Sequence, residues 1–414
     1  MHFASLDQVA NPADTMKIVV IGAGVAGCIV ARALAGQSGV EVICLEKVDA
    51  SDHSESGTGL NVGPNAIKAL QAHSAALHAA VLAHSYPWKS WRISLTDGTL
   101  LFDLPLSQVA DNDGIRIRWS ELYAALRGEA AGLIRYGAQV SSLGYMAGSA
   151  NRLFVEYAEN GVARRIDDID LLVAGDGRYS VARSLLAGVP VMRQHGVAIY
   201  RLLVPDTTAG LIDDYEQWFN GPNRLLAFRV PGNAIYLAGT FPIAPGDDIP
   251  AAARDAAFLR ALYTPASGAP STQCHWLIDT ICANVAAIHW ARLQESPPLY
   301  MDDKGHVLFL GDASHGMVPT LGQGATQAVE DACVAADLLV KRIAAAGPTA
   351  VSVPAVLREF EQLRAERVRF VMDFSREASD TLTAGSDPVA GARKKLDAPF
   401  QRQLERLYRD VPRV

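Results

Sequence analysis

Cysteine is scarce: five among 414 residues, at Cys28, Cys44, Cys274, Cys282 and Cys333, an odd and scattered set without a Cys-x-x-Cys pair. That argues against a disulfide framework or a thiolate zinc site and leaves the reduced, mostly buried thiols of a cytosolic protein. The ten histidines hold no His-Glu-x-x-His pair, so no metal is expected. No apolar run reaches the ~20 residues of a membrane span. The opening "MHFASLDQVANPADT" lacks a basic start followed by an apolar stretch. Residues 1–15 therefore read as a loose extension rather than a signal peptide, and a cytoplasmic location is expected. Positive charge is also short, with 37 Lys and Arg against 44 Asp and Glu and a net charge of −7. A phosphate-binding surface needs clustered cations, so nucleic acid is not expected as a partner.

What is present is half apolar and one fifth charged, the composition of a soluble globular enzyme. The length suggests two or three domains. "MKIVVIGAGVAGCIVARALAG" reads as a buried strand (Lys17–Ile21), a glycine turn and a helix from about Val25 to Ala35, and "VEVICLEK" follows as a second strand. This is a βαβ unit, the opening of a doubly wound α/β fold. "DLLVAGDGRYSVARSLL" repeats the grammar, and "GHVLFLGDASHG" supplies another strand with a Gly-Asp end before a helix over Gly324–Ala336. "SWRISLTDGTLLFDLP" and "NRLLAFRVPGNAIYLAGTF" carry strand-like runs broken by Asp-Gly and Pro-Gly turns, as in an antiparallel sheet. The expected layout is a discontinuous Rossmann-like domain over residues 16–85, 115–190 and 290–345. A substrate-binding sheet domain over 86–114 and 191–289 is inserted in it, and C-terminal helices fill 346–414.

Gly22-Ala23-Gly24-Val25-Ala26-Gly27 matches G-x-G-x-x-G after a strand and before a helix. Gly22 permits the tight turn, Gly24 lets a pyrophosphate approach the backbone, and Gly27 lets the helix pack closely. Glu46 ends the second strand about twenty residues on, where a carboxylate accepts ribose hydroxyls and disfavours a 2′-phosphate. The turn does not choose between NAD and FAD, because both carry an ADP half. The late stretch "FLGDASHGMVPTLGQGATQAVED" bears on that choice. A flavin has ribityl hydroxyls to hold, which suits Asp312 at a strand end. Its ring edge needs backbone donors, which Gly322–Ala325 offers at a helix start.

The three motifs G-x-G-x-x-G, "GDGRYSVAR" and "GDASHGMVPTLGQG" together resemble the single-component FAD-dependent aromatic hydroxylases, the p-hydroxybenzoate hydroxylase family, over nearly the whole chain. The resemblance implies cofactor contacts at Gly22, Gly24, Ala26, Gly27, Glu46, Lys47, Asp176, Gly311, Asp312, Gly322, Gln323, Gly324 and Ala325. It places Gly175, Asp176 and Gly177 where FAD and NAD(P)H binding are both influenced, and Pro319 over the flavin. His315 is expected to orient substrate or flavin. Two positions depart from the family pattern: Thr326 stands where Asn is usual, and Trp119 stands where an Arg reaches the cofactor phosphates. Either Arg118 or Arg116 substitutes, or that phosphate contact is lost.

The chemistry implied is reduction of FAD by NADH or NADPH as a transient co-substrate, then O2 addition to a C4a-hydroperoxide that hydroxylates an electron-rich ring. Segments of the chain resemble two members of the family. "GTGLNVGPN" is similar to a segment of 6-hydroxynicotinate 3-monooxygenase, with Asn61 where a His acts as ring base. "GVAIYRLLVP" with "QWFNGPNRLLAFRVPGNAIYLAG" is similar to 2-methyl-3-hydroxypyridine-5-carboxylic acid oxygenase. The substrate expected is a small aromatic or heteroaromatic acid, with Arg201 as carboxylate clamp. Tyr200, Tyr215 and Trp218 would line the pocket near Asn61. A reductase of non-aromatic chains, a flavoprotein without turnover and an NAD dehydrogenase stay open, as does monomer or homodimer.

Overall fold

The computed structural model describes residues 15–51 and 58–414. The expected extension 1–15 lies outside these residues, apart from Thr15. In the strand Met16–Ile21, Met16, Ile18 and Val20 join one apolar cluster while Val19 and Ile21 join another. A strand apolar on both faces must be covered on both, which is the condition of a central parallel strand. It lies at the centre of a five-stranded parallel sheet ordered Val307–Phe309, Leu171–Ala174, Met16–Ile21, Val40–Leu45 and Ile134–Arg135. On one face the helices Val25–Leu34 and Gln323–Ala346 pack together. The other face carries an antiparallel sheet of Ala138–Tyr145, Leu153–Glu159 and Val162–Ile169.

Register decides where the turns fall. Ile21 pairs with both Ala174 and Leu45, and Phe309 pairs with Ala174. Gly22, Glu46, Gly175 and the Leu310–Gly311 turn therefore leave the sheet along one carboxyl edge, the place where open α/β sheets bind ligands.

The second large sheet has seven strands ordered His289–Glu295, Arg193–Pro205, Ala234–Pro242, Asn223–Val230, Tyr215–Asn220, Ser90–Leu95 and Leu100–Pro105. Its pairs are antiparallel except Tyr215–Asn220 with Ser90–Leu95. Helices Ala256–Tyr263 and Thr272–Ala283 cover one face, and the other joins the core of the parallel-sheet unit. His289–Glu295 belongs to this sheet although its segment was expected in the cofactor unit. A small antiparallel sheet of Gly59–Val62, Gly114–Arg118 and Tyr86–Trp88 lies between the two units. The helix Val353–Glu377 packs on Gln323–Ala346, and Pro388–Leu396 and Ala398–Arg409 follow. Among the described residues no helix is long and apolar enough to cross a membrane, and no three His, Cys, Asp or Glu could share a metal. All five cysteines are free thiols, four of them buried.

Candidate active site

Gly22 has φ +90°, and a Cβ there would lie 2.7 Å from the Gly175 carbonyl oxygen. Two turns far apart in sequence thus touch at a point where only glycine fits. Gly24 caps the helix Val25–Leu34 without a side-chain bond, so the first N–H groups, with buried Ala26 behind them, stay open to a ligand. A cleft of about 420 Å³ opens here, lined by Gly22, Gly24, Glu46, Lys47, Arg127 and Asp176 among others. Glu46 is buried, accepting the Ala23 N–H at 2.7 Å and the Val48 N–H at 3.2 Å. Asp176 Oδ2 accepts the Ala182 N–H at 3.1 Å in the first turn of the helix Val181–Ala187, whose N-cap is Ser180. Its Oδ1 is buried without a partner, and burial pushes this carboxyl up. Open backbone donors beside a strand-end carboxylate and an unused buried acceptor suit a dinucleotide, which brings a diphosphate and ribose hydroxyls.

The late glycine segment closes the same edge. The Gly311 N–H donates to Asp331 at 2.9 Å, and Asp312 lies 3.5 Å from the Arg178 guanidinium. A Cβ on Gly324 would be 3.7 Å from Asp312. Gly322 is left-handed at φ +65°, and a Cβ on it would sit 2.5 Å from the Asn61 amide nitrogen. Pro319, half-buried, opens the short turn Pro319–Leu321 just before it. The Gln323 side chain points inward, accepting from Asn65 at 3.1 Å and Gln327 at 3.0 Å. The backbone of Gly322–Ala325 is then the part of this segment placed to offer donors to a ligand, while the buried Gln323 Nε2 has no partner among the described residues. Thr326, at the usual Asn position, accepts the Gly63 N–H at 2.9 Å and donates to the Gly322 carbonyl at 3.0 Å.

His315, expected to orient substrate or flavin, is enclosed behind the glycine segment. It is fully buried, with Nε2 2.7 Å from Asp331, and so steadies the carboxylate that holds Gly311. Behind it Arg364 binds Asp331 at 2.8 Å and Glu330 at 2.7 Å, and Arg367 binds Glu330 at 2.9 Å. Burial alone would raise the Glu330 carboxyl, but Arg367 and Arg364 outweigh it and hold it at about 2.

Neighbouring residues on a strand point to opposite faces. Arg201 therefore faces the parallel-sheet unit with Ile199, while Tyr200 faces the covering helices and packs on Trp290 and Tyr263. A shared pocket wall for Tyr200 and Arg201 is thus ruled out, and Trp218 also lies on the far face. Tyr215 does lie on the Arg201 side, its hydroxyl accepting from Gln217 at 2.7 Å. Arg201 lies close enough to Tyr236 to act on its hydroxyl electrostatically. The sequence reading missed Arg224. It is 6% exposed, its Nε has no partner, and neither it nor Arg201 meets a carboxylate among the described residues. Burial pushes its guanidinium down, and Tyr215 and Tyr236 lie nearest in charge. Arg224 shares the inward-facing parity of Leu226 and Phe228, so a cation at a core position was the available signal. The strand Gly59–Val62 ties this face to the glycine segment, with Gly59 pressed on Tyr236 and Asn61 on Gly322.

Arg118 and Arg116, the expected phosphate contacts, do not line the cleft. Arg118 pairs with Glu121 and lies against Gly232. Arg116 is buried against the Pro87 carbonyl at 3.1 Å and Asp214 at 3.3 Å. Trp119 rests on the Tyr123 ring.

No protein-family model matches the chain. It is 28% identical over 386 residues to a 3-amino-4-hydroxybenzoate 2-monooxygenase, PtmB3, of Streptomyces platensis, covering 87% of each chain. It is 26% identical over 340 residues to a 6-hydroxynicotinate 3-monooxygenase of Pseudomonas fluorescens, covering 78% of this chain and 82% of that one. Its homologues are FAD-dependent aromatic monooxygenases. Among solved structures it is similar to Klebsiella pneumoniae HpxO complexed with FAD and uric acid, with a TM-score of 0.76 at 22% identity. That match covers 96% of this chain and 97% of the HpxO chain, and it shows a shared mixed α/β fold.

Proposed function

We propose that this chain is a FAD-dependent monooxygenase that uses NADH or NADPH and O2 to hydroxylate an aromatic or N-heteroaromatic acid. The observation that carries this reading is the meeting of three sequence-distant glycine turns and Glu46 on one carboxyl edge of a parallel sheet. Gly22–Gly27 with Glu46 would hold the ADP half, Asp176 and Asp312 the hydroxyls along its length, and the Gly322–Ala325 backbone the ring edge. Bound FAD, once reduced, supplies the activated oxygen.

The chain's own residues then bind and orient the ring. Arg224 and Arg201 would receive the acid group and stabilise an ionised ring substituent, because a buried guanidinium without a carboxylate favours an anion arriving from outside. Pro319 and Asn61 would flank the ring beside the Gly322 turn. Asn61 has no basic group to take a proton, so ring activation would rest on the two guanidinium groups. The relatives named for an aminohydroxybenzoate and a hydroxynicotinate support an anionic ring as substrate.

Measuring NAD(P)H and O2 consumption by the FAD-loaded protein tests the reading. The panel is hydroxypyridine carboxylates, hydroxybenzoates and neutral phenols. One class of acid should accelerate NAD(P)H oxidation with little hydrogen peroxide released. Equal rates with and without every ring acid would overturn it.

A further inference from the structure

The missing phosphate arginine at Trp119 leaves the cofactor cleft without its expected cation, but two other guanidinium groups line it, Arg178 near Asp312 and Arg127 beside the first glycine turn. Arg127 lies on the same helix, Trp119–Glu129, two turns further on. Its Nε donates to the Ala23 carbonyl inside the glycine turn at 2.9 Å, and its Nη2 stands 3.4 Å from Glu46. The guanidinium lies 5.1 Å from the centre of the Tyr123 ring and 5.9 Å from that of Tyr136, so aromatic faces hold it in place. Its Nη1 makes no hydrogen bond among the described residues. Only 13% of the side chain is exposed, far too little for a freely solvated surface arginine.

Two of these contacts bear on the cleft. The Ala23 bond fixes the turn whose N–H groups face the cleft, and the Glu46 contact steadies the ribose-accepting carboxylate. The remaining donors of a planar fork suit a diphosphate oxygen. A structural role would need only the Ala23 bond and the Glu46 pairing, and would leave Nη1 without a partner beside an open cleft.

We propose that Arg127 is the cofactor-anchoring cation of this chain, holding the ADP half of the dinucleotide through Glu46 and the diphosphate in place of the arginine lost at position 119. The proposal rests on the FAD reading above. The test is equilibrium binding to apoprotein, FAD by quenching of flavin fluorescence and ADP by competition. It compares wild type, Arg127→Gln and Arg127→Lys, with unliganded melting temperature as the folding control. Gln keeps a donor for Ala23 but not the charge, so Arg127→Gln should weaken FAD and ADP by the same factor, tenfold or more, and Lys by less. The same factor for both ligands locates the loss in the ADP half. FAD affinity within twofold of wild type, or FAD weakened with ADP unchanged, would overturn the proposal. Should Gln lower the melting temperature strongly, Arg127→Lys carries the test, and FAD and ADP affinities equal to wild type in it would count against the assignment. Wild-type apoprotein that binds ADP but not FAD would instead overturn the flavin reading.

Discussion

Arg224 shows what a single residue contributes to the proposed chemistry. A charge-assisted hydrogen bond to a buried cation is worth about 1.5–3 kcal/mol, or roughly ten- to a hundredfold in affinity. Arg224→Gln should therefore raise KM for acidic rings by that factor and leave neutral phenols nearly unchanged; a uniform change across both classes would remove the anion-binding role. Tyr200→Phe should leave KM for the same acids where it was, because the ring faces the other side of the sheet, and a large rise would contradict that placement. At this scale legibility was uneven. Arg201 was readable because a cation stands out in an apolar strand. Tyr200 was misjudged because adjacent residues on one strand were assigned to one wall, against the two-residue alternation. Arg127 escaped notice because a helical arginine looks like any solvated one until the Ala23 and Glu46 contacts are known.

Strand–turn–helix elements were legible in the sequence where the signal is local. Met16–Ile21 and Val25–Leu34 formed within a residue of expectation because an all-apolar run, a glycine turn and an alanine-rich helix each carry their own pattern. The sheet of Gly59–Val62, Tyr86–Trp88 and Gly114–Arg118 was not legible, since strands of three to five residues show no period and pair only over long separations. The Gly322 turn depends on such pairing through Asn61. Gly322→Ala forces an L residue into the left-handed region at about 1–2 kcal/mol and displaces Asn61. It should lower the unfolding midpoint and FAD retention together, and an unchanged midpoint with full flavin content would refute this. Helix to helix, Glu330 joins Gln323–Ala346 to Val353–Glu377. Its carboxyl is held at about 2 against an ordinary 4.5. A depressed acid contributes stability above its unfolded value, and that contribution is lost as pH falls through the folded one. The melting temperature should thus fall steeply between about pH 4.5 and 2. Glu330→Gln should start lower, with Arg364 and Arg367 left unpaired, and fall less steeply; parallel slopes would show that Glu330 is not the group titrating.

For the molecule as a whole, the proposed function depends on bringing residues 22, 46, 176 and 312 to one edge, and no local pattern encodes that meeting. The motif order carried it indirectly through the family resemblance, and the parallel register supplies the physical reason. The inward face of the seven-stranded sheet then sets Arg201 and Arg224 toward the unit that bears those turns. This arrangement suits an enzyme that moves one oxygen atom from O2 to a bound ring while keeping water away. The most direct test is turnover of the FAD-loaded protein under isotopically heavy dioxygen with NAD(P)H and the best ring acid of the panel. The account predicts one heavy oxygen atom in the product for each NAD(P)H consumed. Product without the label, or NAD(P)H converted wholly to hydrogen peroxide with every ring acid tried, would contradict it.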